Sequence, residues 1–170
     1  MRSRAIRFTC NKRGESGATV AADRQVQDRG VTVDIRVRFA ETDAMGIVHH
    51  SAYIVWFEAG RIAWLDAVGV PYAEIAAAGY HFAVIGVEVD YRTPARFGDT
   101  VRILSRVTDL RSRKVDFAYE VRQTSTDLLL ASGRSRHICV DLEGRAAQLP
   151  ASLRTRLDAG LRLLGEQTHP

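Results

Sequence analysis

Cysteine is scarce in this sequence, with two residues among 170, and this scarcity excludes a domain held together by a disulfide framework. Cys10 lies near the N-terminus and Cys139 lies in an alternating apolar segment, so we expect a reducing, cytoplasmic setting. We do not expect Cys139 to act as a nucleophile. Its neighbours Ile138 and Val140 predict a buried strand, and free cysteine is commonly buried.

The sequence also lacks an uninterrupted apolar run long enough for a membrane span. Its most apolar segment, 51–68, contains Glu58, Arg61 and Asp66, whereas a spanning helix needs about 20 predominantly apolar residues. No apolar segment follows the basic residues at the N-terminus. We therefore expect neither a membrane span nor a secretory signal.

Motifs for nucleotide loops and for serine hydrolysis are absent as well. The chain contains no G-x-G-x-x-G or G-x-x-x-x-G-K-[ST] loop, which excludes the common phosphate-binding loops. It contains no G-x-S-x-G elbow, which argues against a Ser-His-Asp triad of the α/β-hydrolase type. We expect no cofactor, and a nucleotide-bearing substrate would have to be bound by scattered cationic side chains.

The excess of positive charge is confined to the N-terminal segment. The chain has 24 Lys and Arg against 20 Asp and Glu, and residues 1–30 hold seven of the former and three of the latter. We therefore predict a basic N-terminal extension at 1–30 and one domain at 31–165, whose balanced charge predicts no nucleic-acid partner. The extension is interpreted as a poorly ordered tail or a start codon set too early, with a basic arm or an organelle-targeting peptide as alternatives.

Five segments of the domain have the alternating pattern of half-buried strands. In the first, apolar Val33, Ile35 and Val37 alternate with polar residues. Short polar separators such as 97–99 and 111–113 are typical of turns between antiparallel strands. The predicted strands cover 31–39, 81–91, 100–111, 114–123 and 128–140.

The segment 51–68 has the pattern of a helix that is apolar on nearly every side, which predicts that it is buried. An antiparallel sheet with one apolar face needs such a helix to cover it, so we predict an α+β fold in which the sheet curls around this helix. A short helix at 71–78 should follow. An amphipathic helix at 151–164 should close one end of the sheet through Leu153, Leu157, Leu161 and Leu164.

A carboxylate and two histidines precede the central helix. Asp43 lies a few residues before helical N–H groups that have no intrahelical acceptor and that carry the positive end of the helix dipole. A carboxylate that faces such N–H groups is suited to acyl transfer to water. Taken alone, Asp43 could equally be a turn or helix cap. A metal site built from Asp43, His49 and His50 is disfavoured, because adjacent histidines rarely bind the same ion.

These residues carry a specific resemblance to a known family. The run in question is Thr42-Asp43-Ala44-Met45-Gly46-Ile47-Val48-His49-His50, followed by Tyr53 and Phe57-Glu58. It resembles the signature of the 4-hydroxybenzoyl-CoA thioesterase family of hotdog-fold acyl-CoA thioesterases. A second block at 86–99 resembles the next strand of that family and its Pro-containing turn. The resemblance spans about 31–141.

The resemblance implies a hotdog fold, in which a curled five-stranded antiparallel sheet wraps one long helix, and it implies roles for two residues. Asp43 matches the catalytic carboxylate, and His50 matches the residue whose backbone N–H polarises the thioester carbonyl. Side-chain acid–base chemistry by His50 stays an alternative. The double histidine departs from the family, in which position 49 is commonly aromatic, so either histidine could face the substrate. His49 is interpreted as a lining or surface residue.

Further residues are secondary candidates. Glu58 could pair with Arg61 on the same face of the helix, or it could face the cleft. The turn holding Arg111, Arg113 and Lys114 corresponds to the place where several relatives contact the CoA phosphates, although an exposed basic turn can serve solubility alone. The residues predicted to line an acyl pocket are Tyr53, Trp56, Phe57, Tyr80 and Phe82.

We therefore expect an acyl-CoA thioesterase in which Asp43 is either a nucleophile or a general base. A non-hydrolytic module that binds acyl-CoA or an acyl carrier protein is the first alternative, and a hotdog hydratase or dehydratase is the second. An acyl carrier protein is also a candidate partner of the enzyme. Because open sheet edges need a partner, and because hotdog proteins pair through their sheets, we expect a homodimer or homotetramer with the active site between protomers.

Overall fold

The computed structural model describes residues 30–166, so the predicted basic extension lies, except for Gly30, outside the described residues. The described chain is built from strands and helices in the order expected for the α+β fold. The strands are β1 (Val31–Arg36), β2 (His81–Tyr91), β3 (Thr100–Leu110), β4 (Lys114–Gln123) and β5 (Leu129–Val140). The α-helices are α1 (His50–Ala67), α2 (Tyr72–Ala77) and α3 (Ala151–Glu166).

The strands form one antiparallel sheet in the order β1-β3-β4-β5-β2. This order confirms the predicted antiparallel sheet, and it makes β1 and β2 the two edges. Val33 lies opposite Ile103 and Val121 lies opposite Ala131, so apolar residues meet on the face that α1 covers. The sheet and its helix form the predicted hotdog fold.

The first strand is shorter than the sequence predicted. It was expected to reach Phe39, but it ends at Arg36, and Phe39–Glu41 form a short 3-10 helix. The carboxylate of Glu41 accepts the backbone N–H of Arg38 at 2.7 Å, which turns the chain away from the sheet. Phe39 is consequently 76% exposed rather than buried.

Helix α1 lies on the concave face of the sheet, in the centre of the apolar core. The ring of Phe57 stacks on that of Tyr119 with centroids 4.3 Å apart, and Trp64 meets Phe117 edge-to-face. Gly60 allows the closest approach, since a Cβ at this position would lie 2.1 Å from Oγ of Ser105 on β3. These contacts fix where α1 begins relative to the sheet.

The two shorter elements complete the core. Helix α2 starts directly after Pro71, which is its N-cap residue, and it buries Ile75. Helix α3 buries Leu153 and Leu157 as its amphipathic pattern predicted, and Leu161 and Leu164 pack against the core with partial exposure. None of the described helices has the length and apolar character needed to cross a membrane.

Candidate active site

Asp43 sits in a tight loop that precedes α1. Thr42 and Val48 pair as an isolated antiparallel bridge, and between them the N–H of Asp43 donates to Ile47 O at 2.9 Å. Gly46 closes the turn with a positive φ of 71°, a conformation that a residue with a Cβ resists. The loop therefore holds the backbone of Asp43 by hydrogen bonds on both sides.

The carboxylate of Asp43 is only partly engaged. Its Oδ1 accepts the backbone N–H of Met45 at 2.8 Å, which is the local turn role that the sequence allowed. Its Oδ2 has no hydrogen-bond partner among residues 30–166, and the side chain is half-buried. One carboxylate oxygen thus orients the group, and the other is available to a ligand.

His49 and His50 form the start of α1. His49 is the N-cap, and its Nδ1 accepts the N–H of Ser51 at 3.3 Å and shares a hydrogen bond of 2.8 Å with Oγ of Ser51. His50 is the first residue of the helix, and within the described chain its N–H has no hydrogen-bond acceptor. Both side chains are exposed, with ring centroids 4.0 Å apart.

Glu41 supports this loop, and the sequence reasoning missed it. Its side chain is 8% exposed and accepts three hydrogen bonds, from the indole N–H of Trp56 at 3.0 Å and from the backbone and guanidinium of Arg38. Burial alone would raise the pKa of Glu41, but these donors outweigh it and lower the pKa. The carbonyl of Glu41 also accepts the N–H of His49 at 2.8 Å. Glu41 therefore ties the segment before Asp43 to the start of α1.

The block at 86–99 packs against the same end of α1. The hydroxyl of Tyr91 donates to His50 O at 2.9 Å, and the N–H of Ala95 donates to the hydroxyl of Tyr53 at 3.3 Å. The N–H of Val48 donates to Ala95 O at 2.9 Å. Tyr53 is only 2% exposed, so it positions the loop from within the core. The sequence reasoning did not single out Tyr91, although it lies within the block that resembles the family.

A cavity of about 60 Å³ opens further along α1, between the helix and the sheet. Of the aromatic residues predicted to line a pocket, Phe57 lines this cavity, whereas Tyr53 and Trp56 are core residues instead. Phe82 is buried and Tyr80 half-buried, and neither lines this cavity. Tyr53 and Trp56 point into the core because the sheet wraps α1 on most sides. The walls include Phe57, Glu58, Arg61, Tyr119, Ser135 and His137.

Glu58 and Arg61 do not form an ion pair, which was one of the two interpretations of Glu58. Among the ion pairs of the described residues, none involves either side chain, although both line the cavity. Glu58 is exposed at its edge, and Arg61 is buried. Of the two interpretations of Glu58, the structure therefore supports the one in which it faces a cleft.

The basic turn at 111–114 lies at the opposite end of the sheet from Asp43 within one chain. The carbonyl of Arg113 accepts the N–H of Cys139, and Lys114 starts β4, whose residues Val115 and Phe117 lie near the C-terminal half of α1. The ten residues of β4 span about 30 Å. The end of the sheet that holds the Asp43 loop also holds His49, His50 and Tyr53. The basic turn lies at the other end, remote from Asp43.

Comparisons with known proteins agree with this geometry. The family described as the thioesterase-like superfamily matches residues 37–157. A curated relative from Bacillus subtilis, named "Putative acyl-CoA thioesterase YneP", is 34% identical over 65% of this chain and 79% of its own. The acyl-CoA thioester hydrolase YbgC of Escherichia coli O6:H1 is 28% identical over 70% of this chain and 89% of its own.

Solved structures share the fold. The protein TT1821 of Thermus thermophilus superposes with a TM-score of 0.71 and 41% identity, over 75% of this chain and 97% of that one. The family match covers the Asp43 loop, α1 and all strands from β2 onward. The chain therefore belongs to the thioesterase-like superfamily, and it is a thioesterase with the hotdog fold.

Proposed function

We propose that this enzyme hydrolyses an acyl-CoA thioester to a free acid and coenzyme A at the loop end of α1. The observation that carries the proposal is the presence of two polar groups that are unpaired within the described chain, one in the loop before α1 and one at the start of α1. The Oδ2 atom of Asp43 and the N–H of His50 both lack an intrachain hydrogen-bond partner within residues 30–166. The names of YneP and YbgC, which specify acyl-CoA, support this substrate class.

The N–H of His50 would polarise the thioester carbonyl. It is the first amide of an 18-residue helix, so the helix dipole adds to its attraction for developing negative charge on the carbonyl oxygen. One donor of this kind is worth about 10²–10³ in rate. The exposed position of His50 keeps this amide accessible to a substrate.

Asp43 would supply the second function by one of two routes. As a nucleophile, its free oxygen attacks the thioester carbonyl, the C–S bond breaks, and the CoA thiolate departs. Water then hydrolyses the mixed anhydride formed between Asp43 and the acyl group. As a general base, it removes a proton from water while that water attacks the carbonyl. Both routes use the same free oxygen, and the Met45 N–H keeps it oriented.

The narrower resemblance to the 4-hydroxybenzoyl-CoA thioesterase family stays a prediction.

The proposed CoA contacts require a second copy of the chain. The 111–114 turn lies at the start of β2, since His81 pairs with Val140 and Ile138 pairs with Lys114, whereas the Asp43 loop lies near the end of β2. If two copies join through β2 in an antiparallel pair, the turn of one copy approaches the Asp43 loop of the other. Arg111, Arg113 and Lys114 would then reach the CoA phosphates across the dimer.

The test is the Asp43→Asn variant, assayed for thiol release from a panel of acyl-CoA substrates. The amide oxygen of Asn still accepts the N–H of Met45, so the loop keeps its shape, while both catalytic routes lose their oxygen anion. We expect kcat to fall by about 10²–10⁴-fold, with a melting temperature close to that of the wild type.

Asp158→Asn is the matched control. Asp158 lies on α3, which packs against the C-terminal end of α1, and its only ion pair in the described chain is with Arg154 at 3.7 Å. This variant should keep wild-type rates. Near-normal hydrolysis by Asp43→Asn would refute the proposal, and so would acyl-CoA binding by the wild type without thiol release.

A further inference from the structure

Arg61 is a buried guanidinium without a compensating charge. Its side chain is 7% exposed, and its Nη1 atom is fully buried with no hydrogen-bond partner among residues 30–166. Other arginines of the chain, such as Arg102 and Arg122, are paired with carboxylates. A buried charge costs free energy unless it is paired and hydrogen-bonded. Arg61 therefore lacks an anion.

The groups that surround Arg61 in the cavity do not supply that anion. Tyr119 and Ser135 are hydrogen-bonded to each other at 2.7 Å, and both are neutral. Burial raises the pKa of Tyr119 to about 12, so its hydroxyl stays protonated. His137 shares a hydrogen bond with Val115 O at 3.2 Å and lies deep in the core. The ring of Tyr72 contacts the guanidinium as a cation–π partner, with Cζ 5.9 Å from its centroid, but carries no charge either.

Glu58 is the one carboxylate that lines the cavity, and it does not neutralise Arg61. It is exposed at the rim, and it forms no ion pair within 4.0 Å with any described residue. Arg61 thus lies at the inner wall and Glu58 at the rim, with no ion pair between them. An anion inside the cavity would supply Arg61 with the partner that Glu58 does not provide.

The cavity suits a compact group. A cavity that holds one water molecule has about 10–15 Å³ of free volume, so the cavity of about 60 Å³ has room for roughly four to six waters. The stacked rings of Phe57 and Tyr119 provide an apolar wall, and Arg61 provides a polar end. A carboxylate on a short methylene chain matches this combination better than a long aliphatic tail does.

We propose that this cavity binds the distal end of the acyl group, and that Arg61 selects acyl groups ending in a carboxylate. The inference rests on the proposed function, because it names the substrate class of that reaction. Arg61 lies eleven residues after His50, or about 16 Å along the helix axis, and its side chain leans back toward the N-terminus. It is a specificity-determining residue that does not touch the reacting carbonyl.

The first experiment compares matched thioesters. Glutaryl-, adipyl- and pimelyl-CoA are each paired with the neutral acyl-CoA in which an isopropyl group replaces the terminal carboxylate. Wild-type enzyme should prefer the carboxylate form of at least one pair by about 10- to 100-fold in kcat/KM, the range of a charge-assisted hydrogen bond. Arg61→Met should lose this preference mainly through KM, while Arg61→Lys should keep part of it.

Arg106→Met is the matched control. Arg106 also has a buried Nη1 atom without a partner, but it pairs with Glu120 on the other face of the sheet. This variant reports the general effect of losing a buried arginine, and it should keep the wild-type preference. Equal kcat/KM for both members of every pair in the wild type would overturn the inference. An unchanged preference in Arg61→Met would do the same.

A binding measurement separates this inference from the proposed function. Free adipate, titrated calorimetrically into the wild-type protein, should bind, and the binding should be lost in Arg61→Met but kept in Arg106→Met. If acyl-CoA is hydrolysed and adipate does not bind, the inference fails and the function stands. If adipate binds through Arg61 and no acyl-CoA is hydrolysed, the function fails and the anion site stands.

Discussion

Two acids near the start of α1, Glu41 and Asp43, have opposite surroundings. Glu41 is buried and saturated by donors from Arg38 and Trp56, so it is a positioning residue. Asp43 is half-buried and keeps one oxygen free. The difference arises because Glu41 follows the end of β1 and turns inward under α1, while Asp43 sits in the exposed loop. Only the second arrangement leaves a carboxylate available for chemistry.

His137 shows how burial sets a protonation state. Burial first, and then the nearby charge of Arg61, lower the pKa of His137 to about 4 from its ordinary 6.5. The unfolded chain therefore binds a proton between pH 6.5 and 4 that the folded chain does not bind. The resulting stability is present in full above pH 6.5 and is lost as the pH falls toward 4.

The His137→Gln variant should therefore be less sensitive to acid. Between pH 7 and pH 4.5, we expect the wild type to lose about 2 kcal/mol more of its free energy of unfolding than the variant does. Denaturant titrations of both proteins at several pH values measure this difference. Carboxylates titrate in both proteins, so they cancel in the comparison. Parallel pH profiles would contradict a neutral His137 in the folded state.

At the scale of the elements, α1 and β3 are fitted to one another through Gly60 and Ser105. A Cβ on Gly60 would lie 2.1 Å from Oγ of Ser105 and 3.0 Å from Cγ2 of Ile103. Ser105 is fully buried, and its hydroxyl has no hydrogen-bond partner within the described chain. The close packing of α1 on β3 thus requires a glycine, which is unfavourable within a helix, and it leaves the hydroxyl of Ser105 without a hydrogen bond.

Gly60→Ala should destabilise the fold even though alanine favours helices. We expect a net loss of up to about 2 kcal/mol, since overpacking costs about 1–3 kcal/mol and helix propensity returns about 1 kcal/mol. Ser105→Ala alone should be neutral or stabilising, because it removes an unsatisfied buried hydroxyl. In the double variant the loss should largely disappear. Additive effects in this double-mutant cycle, measured by chemical denaturation, would show that the two positions do not collide.

At the scale of the whole molecule, β2 is an edge strand, and its outer side has no neighbouring strand within the described chain. Beside this edge lie exposed apolar side chains of β2 and α1, namely Val84, Ile85, Ile54 and Val55. An edge strand next to an apolar surface is a site for pairing with another chain. The basic turn at 111–114 reaches an Asp43 loop only if such pairing occurs.

We therefore expect a homodimer at micromolar concentration, with at least twice the 18.9 kDa mass of the chain in light scattering. Ile85→Lys, which places a charge on this edge, should shift the protein toward the monomer and reduce thioester hydrolysis in parallel. Arg154→Lys, on the exposed side of α3, is the control and should change neither. A fully active monomer would refute both the dimer and the shared site.

The sequence by itself determined most of the elements, and its resemblance to a known family singled out Asp43 as the candidate catalytic carboxylate. Alternation of period two predicted β2 and β4 with the observed bounds, and the apolar run at 51–68 predicted α1 within one residue at each end. The local pattern placed Asp43 in a short loop before a helix, where it could equally be a cap, and the catalytic role was implied by the resemblance alone. The elements and the loop depend on neighbouring residues, so a linear pattern is sufficient to reveal them.

Only the tertiary structure decided which distant residues meet. The burial of Glu41 under Trp56, the isolation of Arg61 in a cavity, and the remoteness of Arg111 from Asp43 all depend on how the sheet curls around α1. Contacts between residues far apart in the chain leave no periodic signal along it. For the same reason, Tyr53 and Trp56 were expected to line a pocket but pack in the core. Side-chain burial is set by the facing element, and that element is fixed only when the chain folds.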